Sequence, residues 1–226
     1  MKKNTTLFFI LLSVFTFSSF GFIKHEHPML FIKGLLKDPV SVGAFFPCSE
    51  YAAKEICSGI DHSQGPLKIL EVGSGTGALT QEIVKNLAEG DTLDLVELQS
   101  DFCEQLSATF CNDQVSLFCG SILDWQPDYN YDIIICSLPF NRFEPDFVTA
   151  ILNHLKVLSK PNGKLSYIEL MWVTSIKKTF SVGHNKQKLE QTLAIMRDFR
   201  TRYGIKTEPI YRNITPIYVH HTQLTA

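Results

Sequence analysis

The chain has 226 residues, enough for one α/β domain with a full hydrophobic core. It is 45% hydrophobic and 19% charged, without low-complexity tracts or internal repeats, which excludes a disordered or repetitive chain. The net charge of −2 hides an asymmetry: 9 Lys+Arg against 19 Asp+Glu precede Lys156, and 12 against 4 run from it onward. A basic C-terminal third on an acidic body suggests a face that meets an anionic partner, lipid headgroups or nucleic acid, or else a solvated basic face.

At the N-terminus, Lys2 and Lys3 precede an uncharged run from Leu7 to Ile23. That layout fits a signal peptide, a marginal membrane anchor, or an extension upstream of a true start at Met29. The three readings stay open. Residues 1–27 are set apart, and 28–226 are expected to form a single domain. Within 28–40, Leu30, Ile32, Leu35 and Leu36 stand opposite Lys33 and Lys37, predicting a short amphipathic helix stopped near Pro39.

Ser49 or Glu50 is expected to open a helix through Ile56. Leu67–Val72 reads as a buried strand ended by glycines, Ala78–Leu87 as a helix, and Thr92–Leu98 as a strand. Asp101–Phe110 is helical, Val115–Cys119 and Tyr131–Cys136 are strands, and Pro145–Leu158 is a helix with proline in its first turn. The turn Pro161-Asn162-Gly163 leads to a strand from Lys164 to about Met171. Gln187–Tyr203 is a long helix. Lys206–Tyr211 and Pro216–His221 should then pair antiparallel at the sheet edge. Such alternation predicts a mostly parallel sheet covered on both faces.

Six cysteines (Cys48, Cys57, Cys103, Cys111, Cys119 and Cys136) show no CxxC pair and no metal-type spacing with the seven histidines. No metal site is expected. The cysteines read as free structural thiols of a reducing compartment.

The run Glu71-Val72-Gly73-Ser74-Gly75-Thr76-Gly77-Ala78 lies between a strand and a helix, where glycines let backbone turn tightly against a ligand. It also satisfies the dinucleotide pattern G-x-G-x-x-G/A. Glu71 argues against a pyrophosphate, which it would repel, and suits a ligand with an ammonium and a sulfonium. Glu97 closes the next strand, where its carboxylate can accept bonds from ribose hydroxyls. An NAD-binding reductase would also need a catalytic pair such as Tyr-x-x-x-Lys on a helix, and none is present.

Over about residues 66–172 these motifs resemble class I S-adenosylmethionine-dependent methyltransferases. The resemblance implies a Rossmann-like fold with a seven-stranded, mostly parallel sheet, an antiparallel last strand and helices on both faces. It places Gly73, Ser74, Gly75 and Gly77 around the methionine part with Glu71 nearby, Glu97 on the ribose, and Leu98 on the adenine. Gly120-Ser121 stands where many members have Gly-Asp, so Ser121 takes the adenine-side position with a weaker acceptor.

Ser137-Leu138-Pro139-Phe140-Asn141 ends the fourth strand and resembles the nitrogen-methylating turn of amino-methyltransferases. Ser137, Leu138, Pro139 and Phe140 would hold an amine in line with the S–CH₃ bond, because positioning dominates such a displacement. Ribosomal RNA adenine dimethylases carry a similar turn. Bacterial phospholipid N-methyltransferases are the closer resemblance, over about residues 30–221. Their N-terminal element is matched by Leu35-Leu36-Lys37-Asp38-Pro39 and Val42–Pro47, with Cys48-Ser49 in place of Ser-Ser, and their closing element by Asn213–His221. That resemblance implies a phosphatidylethanolamine acceptor and a cytoplasmic enzyme peripheral at the membrane. Tyr167, Glu169 and His220 are candidate proton acceptors. Phe140, Phe143, Tyr167, Trp172 and Tyr218 are candidate cation–π contacts.

Overall fold

Ser49 caps the first helix among the described residues of the computed structural model, its Oγ accepting the Ala52 amide at 3.3 Å. The structure describes residues 48–171, 184–213 and 215–224. The segment 29–37, residues 1–27 and Trp172 lie outside these. In chain order come α1 (Glu50–Cys57), β1 (Lys68–Val72), α2 (Ala78–Lys85), β2 (Thr92–Glu97), α3 (Ser100–Phe110) and β3 (Val115–Cys119). They are followed by β4 (Tyr131–Cys136), α4 (Pro145–Leu158), β5 (Ser159–Leu170), α5 (His184–Tyr203), β6 (Gly204–Ile210) and β7 (Ile217–Leu224).

The seven strands form one sheet in the order β3-β2-β1-β4-β5-β7-β6. The first five run parallel, and β7 runs antiparallel between β5 and β6. Period-2 alternation sends β1 side chains to two cores. Ile69 packs with Leu93, Leu95 and the apolar faces of α1, α2 and α3. Leu70 and Val72 pack with Ile134, Leu165 and the faces of α4 and α5. Asp94 sits buried within β2, where it accepts the hydroxyls of Tyr129 and Tyr131 at 2.7 Å each, a buried acid satisfied by neighbours.

Two expectations need correction. The fifth strand begins at Ser159, not Lys164, because Ser159 still pairs with Tyr131 and the Pro161–Gly163 turn is absorbed as an irregularity, with Asn162 at φ 63°. Cys103 and Cys119 are not free: they form a disulfide, Cα–Cα 5.9 Å, between α3 and the end of β3. Their sequence separation gave no hint, because the pairing depends on α3 packing back on its own strand. The basic third is also partly matched from within. Lys160 pairs with Asp132, Lys206 with Glu55 and Lys188 with Glu144, so part of that charge faces the acidic body.

Candidate cofactor and acceptor site

A cavity of about 260 Å³ opens at the carboxyl ends of β1, β2 and β4, where open α/β sheets bind ligands. Backbone bonds knit these ends together: the Gly73 amide donates to Val96 O, Ser137 to Val72 O and Gly120 to Glu97 O. Gly73, Gly75 and Gly77 all have left-handed φ, at 80°, 54° and 79°, a conformation that side-chain-bearing residues rarely tolerate. Gly73, Ser74 and Gly75 line the cavity. Gly77 does not serve there. A Cβ on it would meet Phe110 Cε2 at 2.4 Å, so this glycine lets α2 and α3 pack closely.

Glu97 lines the β2 side with both carboxylate oxygens engaged. Oε2 accepts the Gly75 amide at 2.8 Å and Oε1 the Gln99 amide at 2.9 Å. Each oxygen keeps a second lone pair for a ribose hydroxyl. Burial holds its pKa above the usual range against the opposing pull of the Gln99 and Gly75 amides. Leu98 is 63% exposed beside it, an apolar surface free to cover a flat base. Ser121 also lines this end, and its Oγ caps the short 3₁₀ turn Ile122–Asp124 by accepting the Leu123 amide at 3.3 Å.

Glu71 is placed otherwise than expected. It lies fully buried beneath the turn, outside the lining, where it accepts Thr80 Oγ1 at 2.6 Å. Its Oε1 and the nearby Ser74 Oγ have no hydrogen-bond partner among the described residues. Burial pushes its pKa up to about 7.

The β4 side carries the Ser137–Phe140 turn. Ser137 Oγ donates to Gly73 O at 3.0 Å, and Leu138 Cδ2 lies 3.0 Å from where a Gly73 Cβ would stand. Ser137, Leu138 and Pro139 therefore press on the glycine turn and line the cavity. Phe140 and Tyr167 are instead core residues, 5% and 0% exposed, packed edge-to-face at 6.2 Å. Their roles are to brace the turn from behind. Tyr167 Oη has no hydrogen-bond partner among the described residues, and burial pushes its pKa up.

Glu169 and His220 also stand off the cavity. His220 Nε2 meets Glu169 at 3.0 Å and its Nδ1 meets Thr207 at 2.8 Å, while Arg200 donates to Glu169 at 2.9 Å. His221 meets Ser166 and Glu55. The two histidines of the closing motif thus tie β7 to its neighbours on either face of the sheet. Phe147 and Ile168, which the sequence did not single out, complete the wall with Cys48, Phe143, Asn213 and Ile217. Only the four-residue spacing of Phe143 and Phe147 hinted at Phe147. Burial, reinforced by Glu71, holds the Cys48 thiol up at about 12, which makes it wall and not nucleophile.

Residues 69–163 match the family model of a methyltransferase domain. Over that stretch, less than half of its length, the chain is similar to S-adenosylmethionine-dependent methyltransferase domains. The dinucleotide-reductase alternative is set aside by that match. The cradle fits the cofactor on the structure's own terms: left-handed glycines leave space, and Glu97 retains acceptor capacity. The chain is similar to a malonyl-[acyl-carrier protein] O-methyltransferase of Priestia megaterium, 34% identical over 54% of this chain and 44% of that protein. It is also similar to a tRNA1(Val) (adenine(37)-N6)-methyltransferase of an Enterobacter species, 27% identical over 58% and 47%. The chain thus spans less than half the length of either relative. In fold it resembles the N-methyltransferase NodS of Bradyrhizobium japonicum, with TM-score 0.62 and 13% identity over 88% of this chain and 98% of that one.

Proposed function

We propose that the protein transfers the methyl group of S-adenosylmethionine to a nitrogen, and that the acceptor is the amine of a phosphatidylethanolamine headgroup. The observation that carries the nitrogen reading is the Ser137-Leu138-Pro139 turn, seated directly on Gly73 at the cavity wall. When bound, the cofactor supplies an electrophilic methyl group on a sulfonium. The glycine turn and Glu97 hold it, and the wall of Leu138, Pro139, Phe143 and Ile168 excludes water and orients the incoming nitrogen. The described residues of that wall include no carboxylate, imidazole or lysine.

The lipid reading is supported by how Ser49 and the segment from Asn213 meet. The Ser49 amide donates to Asn213 Oδ1 at 2.8 Å, which joins the two elements that resemble those of phospholipid N-methyltransferases. Cys48, Asn213 and Ile217 from these elements share the same cavity. Segment 29–37 would then lie on the membrane with the protein on the cytoplasmic side. A second reading, methylation of an adenine amine, draws on the similar tRNA adenine methyltransferase and the same turn.

To test the substrate, labelled S-adenosylmethionine is offered to phosphatidylethanolamine vesicles, phosphatidylglycerol vesicles and RNA. Label in the first alone is expected. Label in RNA alone would replace the lipid acceptor with adenine.

A further inference from the structure

Methyl transfer to an amine moves a positive charge across the cavity. The nitrogen lone pair forms the N–C bond, the C–S pair returns to sulfur, and the charge passes from sulfonium to ammonium. The ammonium then loses a proton to water, except after a third methylation, when the cation is permanent. Something at the acceptor end must accommodate that charge. Among the described residues lining this end, none carries one: Glu97 lies on the opposite, β2 side.

The acceptor end does carry two aromatic rings. Phe143 and Phe147 lie 5.3 Å apart, centroid to centroid, with planes at 87°, and both line the cavity. Perpendicular rings offer π-surfaces to a corner, and aromatic faces attract alkylammonium ions, most strongly in a desolvated site. Their positions are fixed differently. Phe143 packs against the core, and its carbonyl receives Thr192 Oγ1 at 3.5 Å. Phe147 stands on the first turn of α4, 40% exposed at the cavity mouth. The neighbouring Glu144 carboxylate is paired with Lys188.

We infer that Phe143 and Phe147 form a cation-holding corner that binds the methylated ammonium and favours repeated methylation of one acceptor. This rests on the nitrogen reading above and adds to it the recognition of the product's charge. Topology supports the placement, because both rings follow β4, across β1 from the ribose end on β2.

The test is calorimetry with choline and with 3,3-dimethylbutan-1-ol, its neutral isostere, in saturating S-adenosylhomocysteine. The wild-type protein should prefer choline by about 5- to 30-fold. Phe147→Leu should erase most of that preference while leaving the isostere's affinity unchanged, and Phe147→Trp should restore it. A folding check by thermal melting accompanies each variant, and the surface position of Phe147 keeps the test usable if Phe143→Leu misfolds. Failure to bind choline, equal affinity for the two probes, or a preference that survives Phe147→Leu overturns the inference. Lipid methylation fails or succeeds separately: unlabelled lipid with an intact choline preference would remove the lipid substrate and leave the corner standing.

Discussion

Glu97 holds the cofactor turn from the neighbouring strand, its Oε2 accepting the Gly75 amide at 2.8 Å while Oε1 accepts the Gln99 amide. One carboxylate thus shapes the glycine loop and presents acceptors to a ribose. Loss of a charge-assisted partner typically costs about 1.5–3 kcal/mol. Glu97→Ala should therefore weaken S-adenosylhomocysteine binding by about 10- to 150-fold, read by calorimetry, and lower the melting temperature through the unpaired Gly75 amide.

The glycines should separate by role. Gly77→Ala places a Cβ 2.4 Å from Phe110 Cε2 at a left-handed φ, and should destabilise the fold by about 1–3 kcal/mol in a denaturant melt. Gly73→Ala, also at a left-handed φ, meets the flexible end of Leu138 at 3.0 Å and should lower turnover by displacing the Ser137–Pro139 turn, on top of a backbone strain cost to stability.

Glu71 should give the stability a pH dependence of definite sign. Its folded pKa of about 7 lies above the ordinary glutamate value of about 4.5, so the native state holds the proton more tightly. The associated stability is fully present below about pH 4.5 and is lost as pH rises towards 7. Glu71→Gln should flatten that slope and stabilise the protein near pH 8 by up to about 3 kcal/mol. Melts at pH 5 and pH 8 read both effects.

The strand and helix order was legible in the sequence because periodicity and glycine turns report local geometry. Val115–Cys119, Tyr131–Cys136 and Pro145–Leu158 coincide with the observed elements. Side-chain direction at the site was less legible. Glu71 follows the alternation of β1 into the face shared with Ile69 and meets Thr80, so an acidic motif residue became a buried brace. Phe140 and Tyr167 turned to the core, whereas Phe147 reached the cavity only because α4 starts beside the β4 turn. The Cys103–Cys119 contact depends on tertiary packing that no spacing encodes.

The disulfide gives a simple count. Denatured, unreduced protein should titrate four thiols, those of Cys48, Cys57, Cys111 and Cys136. Cys119→Ser should raise the count to five by releasing Cys103, read with a chromogenic thiol reagent. Six thiols in the unreduced wild-type protein would show that the bridge is not formed in the purified chain.

The nature of the acceptor atom is tested most directly by the chemical stability of the new bond. Phosphatidylethanolamine vesicles are incubated with methyl-labelled S-adenosylmethionine, and the labelled product is treated with mild base. An N-methyl group survives that treatment, whereas a methyl ester releases its label as methanol. Label retained on the headgroup amine after deacylation is the predicted result, falling sharply in Pro139→Ala. Label released as volatile methanol would contradict the nitrogen acceptor.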